Sequence, residues 1–156
     1  MEKYITLSKT VHAPVAQVWQ DWTDEKRVAQ WWAPRGFINP ICQVDAKAGG
    51  KIYIVMQAGD NMGPMSGIKA PMSGVFSEVV PNHLLVFKNF ALDEKGGHML
   101  EGVTVVVFED IDGSSTKLTV HTGAAGIAPG VEQMLGGMEQ GWAEQLDKLD
   151  EFASKK

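Results

Sequence analysis

The last stretch of the chain, VEQMLGGMEQGWAEQLDKLDEFASKK, carries apolar side chains at 131, 134, 135, 138, 142, 146, 149 and 152. Steps of three and four place all of them on one face of a helix of roughly six turns. Glu144 and Lys148 form an i,i+4 pair in the favourable order, and Lys155 and Lys156 suit a helix C-terminus. Gly136, Gly137 and Gly141 interrupt this helix at a cost of about 1 kcal/mol each, so close backbone approach or open space is expected there. A long helix with a single apolar stripe has to bury that stripe against something. What precedes it in the sequence supplies the partner.

From Phe37 to Phe108 the chain reads as strands. FINPICQVDA and KIYIVMQA flank the turn Lys47–Gly50, which is a hairpin signal. GVFSEVV, LLVFKNFA and VTVVVF follow, separated by turns at Pro81–His83 and Asp93–His98. Asp112–Ser115 then leads into TKLTVHT. Between the second and third of these strands lies GDNMGPMSGIKAPMSG, with PMSG at 64–67 and 71–74, which reads as a mobile, methionine-rich loop. At the front, residues 3–12 alternate and form a first strand. Pro14 then opens a helix over VAQVWQDWT as its first helical residue, and Thr23 or Asp24 caps a second one over DEKRVAQWW.

The order predicts an α+β fold of one strand, two short helices, six strands and one long C-terminal helix. About seven strands joined by hairpin-length turns make an antiparallel sheet, and a strongly curved sheet wrapped round the helix buries both apolar surfaces. One helix cannot fill such a concavity, so a cavity between helix and sheet is expected.

Length and charge narrow the partners. A chain of 156 residues suits one domain, spanning 1–156. Its formal charge of −5 and the lack of any basic run argue against nucleic acid and anionic membrane surfaces. Cys42 is the one cysteine, which fits a reducing compartment, and no segment has the roughly 18 apolar residues of a spanning helix. A soluble cytoplasmic protein is the expectation.

Candidate functional residues follow from the cavity. Trp31 and Trp32 are adjacent, and neighbouring helical residues point about 100° apart. One should anchor the core, and Trp32 is the choice for the pocket rim. Trp19 and Trp22 share a helix face with Val15 and Val18 and belong to the core. Met134, Leu135, Met138 and Trp142 lie on the stripe of the long helix, where methionine adapts to irregular ligands. Tyr53, Phe76, Glu78 and His121 complete the set of lining candidates on the strands, and Arg35 could meet an anionic headgroup at the mouth. No GxSxG, GxxxxGK or strand-borne GxGxxG is present, and the four histidines lack metal-site spacing. No catalytic residue, metal or cofactor is therefore assigned.

The residues A13-P14, V18-W19, W22-T23-D24 and W31-W32-A33-P34 carry a resemblance to a known family. It continues through D45, G49-G50, G74-x-x-x-E78-V79-x-P81-x-x-x-L85, L118-T119-V120-H121-T122-G123 and G141-W142-x-x-x-L146-x-x-L149. The chain resembles the SRPBCC, or START-like, superfamily with its helix-grip fold, also seen in birch pollen allergens. Within it the chain is most similar to the AHSA1-like group, named after the activator of the heat-shock-protein-90 ATPase. The resemblance implies a hydrophobic pocket under the long helix. Members of the superfamily bind lipids, hormones or polyketides, some catalyse aromatisation and cyclisation, and some assist a chaperone.

Three functions are therefore weighed. The leading one is a binding protein for a hydrophobic or amphipathic small molecule, with the PMSG loop and the Trp31–Phe37 corner gating the entrance. An enzyme of cyclase, hydrolase or isomerase type would need an inward acid–base pair such as His121 with Glu78. An accessory protein of a chaperone would carry an exposed apolar patch. The chaperone-activating members hold this domain beside a separate N-terminal one, and here the first strand starts almost at residue 1, which counts against that partner. A homodimer is compatible with the sequence.

Overall fold

The computed structural model describes residues 2–126 and 135–154. Seven strands, β1 (Glu2–Val11), β2 (Phe37–Val44), β3 (Lys51–Ala58), β4 (Lys69–Val80), β5 (Leu84–Leu92), β6 (His98–Asp110) and β7 (Thr116–Gly126), form one sheet. Its order is β1-β7-β6-β5-β4-β3-β2 with every pair antiparallel, so β1 and β2 are the edges. Helices α1 (Val15–Thr23) and α2 (Glu25–Trp31) bridge β1 to β2, and α3 (Met138–Ala153) closes the chain. The sheet curves round α3, the α+β helix-grip arrangement that the periodicity requires.

Local chemistry explains the corner between β1 and β2. Pro14 stands at the N-cap of α1, one residue earlier than expected, with φ −60° and ψ 150°. Asp24 ends α1 in an extended conformation and at once caps α2, its carboxylate accepting the Lys26 N–H at 3.0 Å. Helix α2 stops at Trp31, and Trp32 is already extended (φ −62°, ψ 149°). The helical angle between neighbours therefore does not apply to this pair. Trp31 is fully buried and donates its indole N–H to the Asp21 carbonyl at 2.7 Å.

The inner face of the sheet alternates as the sequence does. Ile52 and Ile54, Leu85 and Phe87, Val106 and Phe108, and Leu118 and Val120 are all buried against Val18, Trp22, Leu146 and Leu149. At the β2–β3 hairpin, Gly49 takes φ +80°, and a Cβ on Gly50 would collide with the Asp45 carbonyl. That explains the G49-G50 pair.

The second PMSG is not loop but strand, since Met72 and Gly74 pair with Ile54 and Ile52 of β3. Pro71 is tolerated because β4 pairs there with β3 only, its β5 partnership beginning at Met72. The segment 59–68 before it holds a 3₁₀ turn at Gly63–Met65 and rests on the corner, with Gly59 N–H donating to the Gly36 carbonyl at 2.7 Å.

Helix α3 is tied to β1 by Asp150, whose Oδ1 accepts the His12 backbone N–H at 2.9 Å. Burial tends to raise the carboxyl's pKa, but the hydrogen bonds and charge from His12, with help from Ser154, outweigh it and hold the pKa below the ordinary range. Such a group stabilises the fold above the ordinary carboxylate range and loses that contribution as pH falls through it. Asp150→Ala should cost about 1–2 kcal/mol in urea unfolding at pH 7. The gap to wild type should narrow as the pH is lowered below 4. A gap that persists unchanged at low pH would contradict this assignment.

Candidate functional site

A cleft of about 280 Å³ lies between α3 and the inner face of the sheet. Trp32 and Pro34 enter it from the corner, Met56 and Met72 from β3 and β4, and Asn89 and Ala91 from β5. Thr122 and Ala124 come from β7, and Met138, Trp142 and Gln145 from α3. The volume is near the lower end of the roughly 300–1,000 Å³ of small-molecule sites. None of the described lining residues is ionisable.

The tryptophans set one wall. Trp32 is 8% exposed, so it is a buried wall rather than an exposed rim. Its ring meets Trp142 edge-on at 5.6 Å and Trp31 at 5.6 Å, while Trp22 lies 6.3 Å away. On its far side the packing is nearly closed, with a gap of about 20 Å³ among Trp22, Phe76 and Phe87. Gly141 also faces the cleft, and among the described residues a Cβ there would meet only Pro34 Cγ, at an ordinary 3.6 Å. Open space, not close approach, accounts for this glycine.

Of the nine lining candidates read from the sequence, the structure brings Trp32, Met138 and Trp142 together in the cleft. Leu135 is 2% exposed and packs beside it against Ala124, with Met99, Leu100 and Met138. Met134 lies outside the described residues. Phe76 is inner but belongs to the closed end, edge-on to Phe87 at 5.8 Å.

Three candidates are on the wrong face. Tyr53 is 36% exposed and outward, as its position between inward Ile52 and Ile54 dictates. His121 is exposed between buried Val120 and Thr122, and its Nδ1 meets Thr6 Oγ1 at 3.0 Å on the outer surface. Glu78 would share the inner face with Phe76 by a period of two, but a bulge between them adds one residue and turns Glu78 to solvent. The His121–Glu78 acid–base pair is therefore not assembled. Shallow furrows of about 430 and 410 Å³ lie on this outer face, beside His121 and Tyr53 respectively.

Sequence reasoning missed Asn89, Thr122 and Gln145, and with them Thr104, which is fully buried behind the cleft wall. A signal was available. Asn89 is in phase with Leu85 and Phe87, Thr104 with Val106 and Phe108, and Thr122 with Leu118 and Val120, so each is a polar residue on the inner face, the threonines buried and Asn89 half-buried. Thr104 Oγ1 lies 3.0 Å from Asn89 Oδ1 and 2.8 Å from Thr122 Oγ1. Gln145 follows Trp142 by three residues and is 5% exposed. Arg35 is engaged by Glu151, and its backbone N–H donates to Glu144 at 3.1 Å.

The family model for activator of Hsp90 ATPase homolog 1-like proteins matches residues 12–154. The chain belongs to this family. Three solved structures illustrate its fold. A protein from Nitrosomonas europaea is 25% identical, with TM-score 0.73 over 96% of this chain and 92% of the other. One from Arthrobacter aurescens is 22% identical, with TM-score 0.80 over 98% and 87%. An AHSA1 protein from Silicibacter pomeroyi is 21% identical, with TM-score 0.77 over 96% of both chains. No curated protein matches.

Among the described residues no group of three or more His, Cys, Asp or Glu side chains could hold a metal, and no helix is long and apolar enough to cross a membrane. Burial, aided by the charge of Glu25, pushes the Cys42 thiol up to about 11. Cys42 should accordingly react with iodoacetamide far more slowly at pH 8 than a free cysteine. Labelling at the rate of a model thiol would refute that. Gly141→Ala should raise stability by up to about 1 kcal/mol in urea unfolding, since the helix gains and nothing is displaced. A loss would mean that the added methyl group displaces a neighbour.

Proposed function

We propose that this protein binds a small hydrophobic or amphipathic molecule in the cleft between α3 and the curved sheet. The observation that carries this reading is the composition and position of the cleft. Its walls come from five strands, the corner and α3, and its described lining is apolar except for Asn89, Thr122 and Gln145. Placing an apolar body there removes its surface from water at a gain of about 25 cal/mol per Å². Met56, Met72 and Met138 give the wall side chains that adapt to different shapes. A reducing, cytoplasmic setting accords with the single half-buried thiol of Cys42.

Native mass spectrometry of the gently purified protein tests this. An additional mass that disappears on denaturation is expected, and it should be absent from an Ala91→Phe variant, whose ring would occupy the cleft. A clean apoprotein mass, or an adduct retained by a folded Ala91→Phe variant, would count against the cleft as the site.

A further inference from the structure

Selection within an apolar cleft falls to its few polar groups, and two of the three, Gln145 and Asn89, share one character. Gln145 Oε1 accepts the Ala33 backbone N–H at 2.9 Å. A backbone N–H can only donate, so the amide is oriented and Nε2 is the end left over. Four buried side-chain polar atoms lack a protein partner among the described residues: Asp21 Oδ2, Trp22 Nε1, Asn39 Oδ1 and Gln145 Nε2. Of these residues, only Gln145 lines the cleft.

Asn89 repeats the pattern from the sheet side. Thr104 donates its one hydroxyl proton to Asn89 Oδ1 at 3.0 Å. Its oxygen can then only accept from Thr122, 2.8 Å away. The Thr122 proton is thereby used, and among the described residues Asn89 Nδ2 donates to no protein acceptor. Helix and sheet thus each bring an amide nitrogen with protons to spare to the cleft lining, while each amide oxygen already accepts one hydrogen bond.

Charge is the second observation. No described lining residue carries one. Residues 127–134, IAPGVEQM, include no cation in their sequence. The nearby cations are committed elsewhere: Arg35 pairs with Glu151, and Lys148 Nζ donates to the carbonyls of Trp32 and Ala33 at 3.3 and 3.0 Å. A carboxylate entering the cleft would lose its hydration without gaining a counter-charge. A neutral carbonyl oxygen, with two lone pairs, answers unpaired amide donors at much lower desolvation cost.

We propose that the cleft selects a neutral carbonyl compound with an apolar body, a ketone, ester, lactone or amide, over the corresponding carboxylate or hydrocarbon. Gln145 Nε2 donates to the carbonyl oxygen, and Asn89 Nδ2 offers a second hydrogen bond. This rests on the reading of the cleft as a binding site.

The test titrates ¹⁵N- and ¹³Cε-methionine-labelled protein at pH 7.5 with cyclohexyl methyl ketone, cyclohexanecarboxylate and ethylcyclohexane in parallel. The ketone should shift the Met56, Met72 and Met138 methyl signals and move the Gln145 side-chain amide protons downfield. It should bind at least about five-fold more tightly than either of the others. Gln145→Glu keeps an oxygen for the Ala33 N–H, and Asn89→Leu leaves that bond untouched. Each should reduce the preference for the ketone over ethylcyclohexane. Equal affinity for ketone and hydrocarbon, tightest binding of the carboxylate, or a ketone preference that survives both substitutions would overturn the proposal and leave the cleft reading intact. No shift of the three methyl signals with any probe would overturn the cleft reading, and the proposal with it.

Discussion

Ala33 has φ +82°, a conformation that costs a residue with a Cβ about 1–2 kcal/mol and persists only where neighbours impose it. Two side chains of α3 do so. Gln145 accepts the Ala33 N–H, and Lys148 donates to its carbonyl. Burial, with the charge of Arg35, draws the Lys148 ammonium below its usual pKa, against the pull of Glu151 and Glu144. Around this point the indoles of Trp22, Trp31, Trp32 and Trp142 interlock with centroid separations of 4.7 to 6.4 Å. The corner after β1 and the C-terminal helix are thereby fixed to each other. The position of the helix over the sheet, and so the shape of the cleft, depends on that joint.

The joint also explains why the concavity is filled at one end and open at the other. Towards its C-terminus, α3 offers Leu146, Leu149 and Ala153, all buried against the strands and α1. Towards its N-terminus the cleft-facing positions are Met138, Gly141 and Trp142, with Gly137 at the N-cap. The two glycines leave volume that the sheet does not collapse to fill, because the strands beneath are held by hydrogen-bonded ladders on both sides. Gln145 sits at the boundary between the two regimes. One end of its amide holds the corner, and the other lies at the cleft, so a single residue couples the fold to the site.

The sheet has two faces that differ in consequence. Its inner face carries the core and the cleft. Its outer face carries His121, Tyr53 and Glu78, three residues whose chemistry made them attractive and whose placement removes them from the cleft. For His121 and Tyr53 the alternation of neighbouring apolar residues already pointed outward, and chemical appeal overrode it. Glu78 is different, because a local bulge reverses the phase of β4 after Phe76, and no periodicity announces a bulge.

Seven strands, two short helices and a final long one were legible in the sequence because strand and helix periods are local properties, set by which neighbours must share a buried face. The clustering of the tryptophans near the corner was legible too. The second PMSG was misread as loop because its proline and glycine suggest a turn, whereas only the arrangement of partners shows that Pro71 needs no hydrogen bond towards β5. Asn89, Thr104, Thr122 and Gln145 stand in buried phase in the sequence, but their meaning is a matter of distances between four separate elements. The sequence by itself determined the order of elements, the inner face and the family. Tertiary structure alone decided which polar groups spend their hydrogen bonds on each other and which keep a donor to spare, because pairing between distant segments is fixed only when the chain has closed around its core.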